Sequence, residues 1–220
     1  MKDLVIFGTG MMAELADYYF RTDYGVNVVG FTVDAAYKSS DRWLDRPLIA
    51  WDEIQSRFPP SRHDLFVAVG YAGLNKVRRA KVDEAEAKGY ALTRYISPRA
   101  IVPENFESSA NQFIFENAII QPFTKIGRNV VLWPGSLVAH HCEVGEDVVI
   151  SGKAAIAGRV RIGARCFVGL NATIRDNVRI GEDCIIGAGA VILRDLPNGS
   201  IAAAGGTRIS KAPSHRLRRF

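Results

Sequence analysis

The chain has 220 residues, of which 48% are apolar and 23% charged, with a formal net charge of +5. No run of 18 apolar residues occurs, which excludes a membrane-spanning helix by this measure, and the start "MKDLVIFGTGMM" lacks the basic-then-apolar pattern of a secretory leader. The chain is therefore expected to be cytoplasmic and free of membrane.

Residues 1–97 alternate short apolar runs with helical patterns. "DLVIFG" reads as a strand, "MMAELADYYFRT" as a helix, "VNVVGFTVD" as a second strand and "IAWDEIQSRF" as a short helix. "DLFVAVG" is a third strand, "LNKVRRAKVDEAEAKG" a helix ending on Gly89 as a C-cap, and "YALTRYI" a further strand. Strands alternating with helices predict an α/β unit, a parallel sheet with helices packed on it. Gly8 and Gly10 lie where a first strand turns into a helix, so the backbone there can approach a phosphate. Asp34 ends the second strand, where an acidic side chain can take a ribose hydroxyl. Arg78 reads either as a phosphate or base contact or as a solvated helix residue.

From about residue 98 to 197 another rule holds. Every sixth residue from Ile114 to Ile192 is Ile, Leu or Val, fourteen in succession. If about half of residues are apolar, fourteen hits in one phase arise by chance about once in ten thousand. Four residues after each comes a small or medium side chain, from Ala118 and Thr124 to Cys184 and Ala190. A strict period of six predicts a solenoid in which each hexapeptide is one short strand and one corner. Three hexapeptides make one coil of a triangular prism, the two columns point inward, and coils stack about 4.8 Å apart.

Cys142, Cys166 and Cys184 all fall in the small inward column, so they read as reduced packing residues. His140 and His141 fall at a corner and project outward. Two adjacent histidines rarely share one metal, so no metal site is expected; what remains is a general base or a pair without a role. Residues 198–220 carry the basic run "RISKAPSHRLRRF", either a solvated tail or a contact for a phosphate-bearing ligand. No nucleic-acid motif appears, and nucleic acid is not an expected partner.

Residues 3–209 resemble one family, the hexapeptide-repeat sugar acetyltransferases with an N-terminal nucleotide-binding domain. It includes sialic acid O-acetyltransferase-like proteins and N-acetyltransferases of nucleotide-linked 4-amino-6-deoxy sugars. The resemblance rests on "VIFGTGMMAEL", "GFTVD", the Gly70, Asn75, Arg78 segment, "YISPRAIV", "AHHCEVG" and "IGAGAVILRDLPNGSIAAAGGTRIS". It implies a Rossmann-like first domain (1–97), a left-handed parallel β-helix (98–197) and a C-terminal loop and tail (198–220). It implies acetyl-CoA as acyl donor, a nucleotide-linked amino sugar as acceptor, a role in surface glycan synthesis, and a homotrimer with its site between prisms.

By the same resemblance His140 is the catalytic histidine with His141 beside it. Gly8, Gly10, Met12, Asp34, Gly70, Asn75 and Arg78 contact the nucleotide-sugar, and Val149, Gly158, Leu170, Ala188, Arg208 and Lys211 contact the acyl carrier. The chain departs from the family at four places: His141 replaces an acidic residue, Val149 a second histidine, Met11-Met12 a Gly-His pair, and the exit lacks the family's Gly-x-Pro-Ala. A carboxylate missing beside the base favours an amine over a hydroxyl acceptor, because a neutral amine attacks without prior deprotonation. O-acetylation of a sialic acid-type sugar, and a binding protein that keeps the fold without the chemistry, are the alternatives.

Overall fold

A computed structural model describes residues 2–206. The first unit is a five-stranded sheet in the order β3-β4-β2-β1-β5, with β1 at Asp3–Phe7, β2 at Val28–Val33, β3 at Arg42–Trp43, β4 at Arg46–Ala50 and β5 at His63–Val67. All pairings are parallel except β3 with β4. Helix α1 (Met11–Tyr24) covers one face through Met12, Ala13, Ala16 and Phe20. The short α2 (Ile54–Arg57) and α3 (Lys76–Ala87) cover the other through Ile54, Val82 and Ala85.

The β3–β4 hairpin was not expected, and Ile49 and Ala50 belong to β4 rather than to the helix read there. Its turn is Leu44-Asp45, both at positive φ (44° and 59°). A two-residue hairpin turn normally announces itself with Asn or Gly, and this one does not. The strand expected over "YALTRYI" shortens to β6 (Tyr95–Ile96), which already belongs to the prism.

The second unit is the prism, a left-handed parallel β-helix of two-residue strands stacked in three parallel sheets. The first face runs from Tyr95–Ile96 through Phe113–Ile114 and Val149–Ile150 to Ile201–Ala202, the second from Ile119–Ile120 to Val191–Ile192, the third from Lys125–Ile126 to Arg179–Ile180. Every member of the sixth-residue column from Ile114 to Ile192 is buried in one continuous core, as the periodicity predicts. Ile150 is fully buried at mid-length, and Ile150→Ala is expected to lower unfolding free energy by about 2–5 kcal/mol in a denaturation titration.

Each corner holds one residue in the left-handed region, every sixth position from Asn111 to Gly189, with φ near +60°. Asn, Asp and Gly tolerate that conformation best. They occupy nine of the sites: Asn111, Asn117, Asn129, Gly135, Asp147, Asn171, Asn177, Asp183 and Gly189. His141, at φ +59°, is one of the exceptions.

The first unit lies against the first face. Phe20, Phe31 and Phe66 share a buried cluster with Tyr95, Phe113, Phe115, Val131 and Val149, so sheet and prism hold a common core.

Candidate active site

Two hollows meet at the junction of sheet and prism. One, about 440 Å³, lies at the C-terminal ends of β1 and β5, lined by Gly8, Thr9, Gly10, Met11, Met12, Leu15, Ala68, Val69, Gly70, Tyr71 and Trp133. α1 leaves β1 on one side of the sheet and α3 leaves β5 on the other, so this is the topological switch point where open α/β sheets bind ligands. Gly8 is held by sterics: its φ is +124°, and a Cβ there would sit 2.6 Å from the Ala68 carbonyl oxygen. Gly10 caps α1 without a side chain, leaving the first N–H groups of the helix facing the hollow. The other hollow, about 600 Å³, shares Tyr71 and Trp133 and continues along the corner between the first and second faces past Pro134, Lys153, Phe167, Leu170 and Asn171.

Of the residues expected to contact the nucleotide-sugar, Gly8, Gly10, Met12 and Gly70 line this cleft and three do not. Asp34 is held by Lys81 Nζ at 2.7 Å. Asn75 and Arg78 are buried and point at the prism: Asn75 Nδ2 donates to the Asp147 carbonyl and Arg78 Nη2 to the Asn129 carbonyl, each at 2.5 Å. Arg78 is thus neither a ligand contact nor a solvated residue; burial pulls its guanidinium down to about 10, opposed by the charge of Asp147. Sequence reasoning missed Tyr71 and Trp133. Trp133 carried one signal, an aromatic following Leu132 of the aliphatic column, and Tyr71, in the loop after β5, carried none.

His140 and His141 occupy the next corner, between the second and third faces. The two Nδ1 atoms lie 3.1 Å apart, so one ring donates to the other. His141 is braced by Phe123, with ring centroids 4.7 Å apart. The His140 backbone N–H donates to Gln121 Oε1 at 3.0 Å. Gly158, one coil on, lies directly under the His140 ring: a Cβ there would be 2.6 Å from Cε1 and 2.9 Å from Nε2. Gly158, expected among the acyl-carrier contacts, packs against the His140 ring.

Val149 is fully buried beneath the first unit, which removes it from the acyl-carrier contacts within this chain. Where the family pattern has a second histidine, this chain thus has a core residue. Leu170 and Ala188 are exposed, on the corner between the first and second faces. Arg208, Lys211 and the basic run lie outside the described residues. Two carboxylates of the prism are engaged with other groups: Asp147 is buried and bonded to Asn129, and Glu116 accepts from the Tyr19 hydroxyl at 3.0 Å. Cys142 is buried with its thiol directed at the Ala157 carbonyl at 3.1 Å, and desolvation pushes the thiol up. Cys166 is pushed up to about 12 by the same cause, so neither is poised as a nucleophile.

A family model of bacterial transferase hexapeptide (six repeats) matches residues 123–158 and 159–194. PerB from Caulobacter crescentus, solved with CoA and GDP-perosamine, superposes over 93% of this chain and 95% of its own, with a TM-score of 0.82 at 27% identity. The chain carries hexapeptide repeats and is similar over nearly its whole length to acetyltransferases of that architecture. The acetyltransferase domain of PglB from Neisseria gonorrhoeae FA1090 matches 93% of this chain and 97% of its own, with a TM-score of 0.81 at 25% identity. That domain has also been solved in complex with acetyl coenzyme A. WeeI from Acinetobacter baumannii AYE, at 18% identity and a TM-score of 0.60, shares the fold of this chain. No curated protein matches the sequence. The sugar acetyltransferase family to which the sequence motifs pointed is thus the one whose structures this chain matches over nearly its whole length. Among the described residues no group of three or more His, Cys, Asp and Glu is placed to hold a metal, and no helix is long and apolar enough to cross a membrane.

Proposed function

We propose that the protein is a cytoplasmic acetyl-CoA-dependent N-acetyltransferase acting on a nucleotide-linked amino sugar for a surface glycan, with His140 as general base. The observation that carries the reading is the His140–His141 contact. When His140 donates its Nδ1 proton to His141 Nδ1, its Nε2 keeps a lone pair, above Gly158 and open to solvent. The sugar amine attacks the thioester carbonyl, the new N–C bond forms, His140 Nε2 takes the amine proton, and the C–S bond breaks. The proton then passes from His140 to the departing thiolate. His141 here does the orienting that a carboxylate does elsewhere, without the negative charge that would strengthen the base. A histidine without a carboxylate behind it suits an amine acceptor better than a hydroxyl.

In this reading residues 1–97 bind the nucleotide-sugar, its diphosphate at the N-terminus of α1, and residues 98–197 carry the transfer. The cleft and His140 lie on different corners of one prism, with the second face between them. The outward positions of that face, Ile101, Ile119, Leu137, Ala155 and Val191, are apolar apart from Thr173, and Ile101 and Val191 are more than 60% exposed. A second copy seated on this face, in a homotrimer, covers it and brings one protomer's cleft to another's His140. Leu170 and Ala188 would then face Gly158 across the interface, with the acyl carrier between them.

The test is thiol release from acetyl-CoA with UDP-, GDP- and dTDP-linked 4-amino sugars, beside sialic acid as a hydroxyl acceptor. Turnover with an amino sugar supports the proposal. Turnover with sialic acid alone replaces it by O-transfer, and acetyl-CoA binding without turnover on any acceptor replaces it by a binding protein.

A further inference from the structure

Residues 68–75, which join β5 to α3, form one wall of the cleft through Ala68, Val69, Gly70 and Tyr71. They contain neither strand nor helix. Beyond Ala68, whose N–H donates to Phe7, their backbone bonds are the local turns Asn75 N–H to Tyr71 O and Lys76 N–H to Gly73 O, and Arg79 N–H to Asn75 O where α3 begins. Such a segment would ordinarily be among the most mobile in the molecule.

Both of its ends are fastened to the prism. At the start, Asn111 pairs with Val67, the last residue of the edge strand β5: its Oδ1 accepts from the Val67 N–H at 2.7 Å and its Nδ2 donates to the Val67 carbonyl at 3.0 Å. At the end, Asn75 Nδ2 donates to the Asp147 carbonyl, and Arg78 Nη2 to the Asn129 carbonyl. The three prism residues are themselves linked. Asn111 Nδ2 donates to Asn129 Oδ1 at 2.8 Å, and Asn129 Nδ2 to Asp147 Oδ1 at 2.7 Å. They stand one above another at the same corner, all buried and all in the left-handed conformation. A single polar ladder on successive coils therefore grips both ends of the segment.

Two further features mark the segment as held under load. Leu74 and Asn75 are consecutive residues at φ +55° and +63°, a conformation a leucine adopts only when its surroundings impose it. Asn75 Oδ1 and Arg78 Nε are buried without a hydrogen-bond partner, and Asp147 Oδ2 has only the Arg79 guanidinium, 3.5 Å away. Apolar packing at this junction would leave no such orphaned groups. The junction is therefore poorly accounted for by stability and well accounted for by geometry.

We infer that the Asn111–Asn129–Asp147 ladder is a positioning device for the cleft: it holds residues 68–75 in one conformation and so sets Tyr71 in the wall shared by the two hollows. The inference rests on the reading of the cleft as the nucleotide-sugar site. Asn75, Asn111, Asn129 and Asp147 are positioning residues, acting on ligand through the loop and never touching it.

The test compares full-length wild type, Asn75→Gly and Asn111→Leu. Glycine keeps the left-handed backbone at position 75 and deletes only the side-chain bond, so Asn75→Gly decides the matter alone if Asn111→Leu does not fold. Amide hydrogen exchange in residues 69–75 is expected to quicken by at least about 10-fold, with β1 and β2 unchanged. KM for the sugar acceptor and Kd for UDP, GDP or dTDP should rise by about 10-fold, while kcat and KM for acetyl-CoA stay within about 2-fold. Unchanged exchange overturns the inference. Faster exchange with unchanged nucleotide affinity also overturns it, because the loop would then not shape the cleft. If wild type binds none of the three nucleotides while the loop still loosens, the nucleotide reading fails and the holding role of the ladder stands.

Discussion

His140→Ala is expected to lower turnover with the amino-sugar acceptor by at least about 10²-fold, the low end for loss of a general base, with KM for acetyl-CoA little changed. His140 is exposed at its corner and contributes nothing to the prism core, so the thermal midpoint should stay near that of wild type. The ring makes one hydrogen bond, to His141, and rests on Gly158. An alanine variant that turns over at the wild-type rate would remove His140 from the chemistry and leave the corner without a base. His141→Asn separates the two roles. It keeps an acceptor beside Nδ1 and tolerates the left-handed backbone, so it should retain far more activity than His140→Ala.

Gly158→Ala should show the same loss in miniature and by a different route. The backbone at 158 is not left-handed, so alanine is conformationally acceptable there, and removing a glycine can raise stability by about 0.4–1 kcal/mol. The added methyl would stand 2.6 Å from His140 Cε1, inside contact distance, so the imidazole must swing away. Displacing a reacting group by about 1 Å can cost up to 10²-fold in rate. A fall in kcat of about 10- to 10²-fold with an unchanged or raised melting temperature is the expected result. Full activity in Gly158→Ala would show that the ring position above this glycine is not the working one.

The two halves of the chain were not equally legible in the sequence. The prism was readable almost residue by residue because each hexad repeats one environment, and the burial of Ile114 through Ile192 followed from their spacing alone. The left-handed corner column was equally present, in Asn111, Asn117, Asn129, Asp147, Asn171, Asn177 and Asp183, yet Phe123, Lys153, Arg159 and Arg165 dilute it. The first unit yielded its parallel strands and hid its hairpin, whose Leu44-Asp45 turn carries no glycine.

The positions set by local rules are where the sequence put them: Gly8 and Gly10 at a strand-to-helix turn, His140 at an outward corner. Those that depend on how sheet and prism meet did not. Nothing in "LNKVRRAKVDEAEAKG" says that Asn75 and Arg78 turn toward the prism and away from the cleft, and Val149 looks like any other hexad residue until the sheet covers it. Position relative to a second body is a long-range property, and a one-dimensional pattern carries no record of it.

The stacking of coils also fixes how this molecule can change size. An insertion that is not a multiple of six residues would put the aliphatic column out of phase, and one of six or twelve would keep that column inward but move every later corner onto a different face. Whole coils of 18 residues can be gained or lost at the far end while His140 keeps its floor and its neighbour. The reach from the base to the last corner is therefore graduated in steps of about 4.8 Å. The separation of any two corners along the prism is thus quantised, and the fold offers no intermediate lengths.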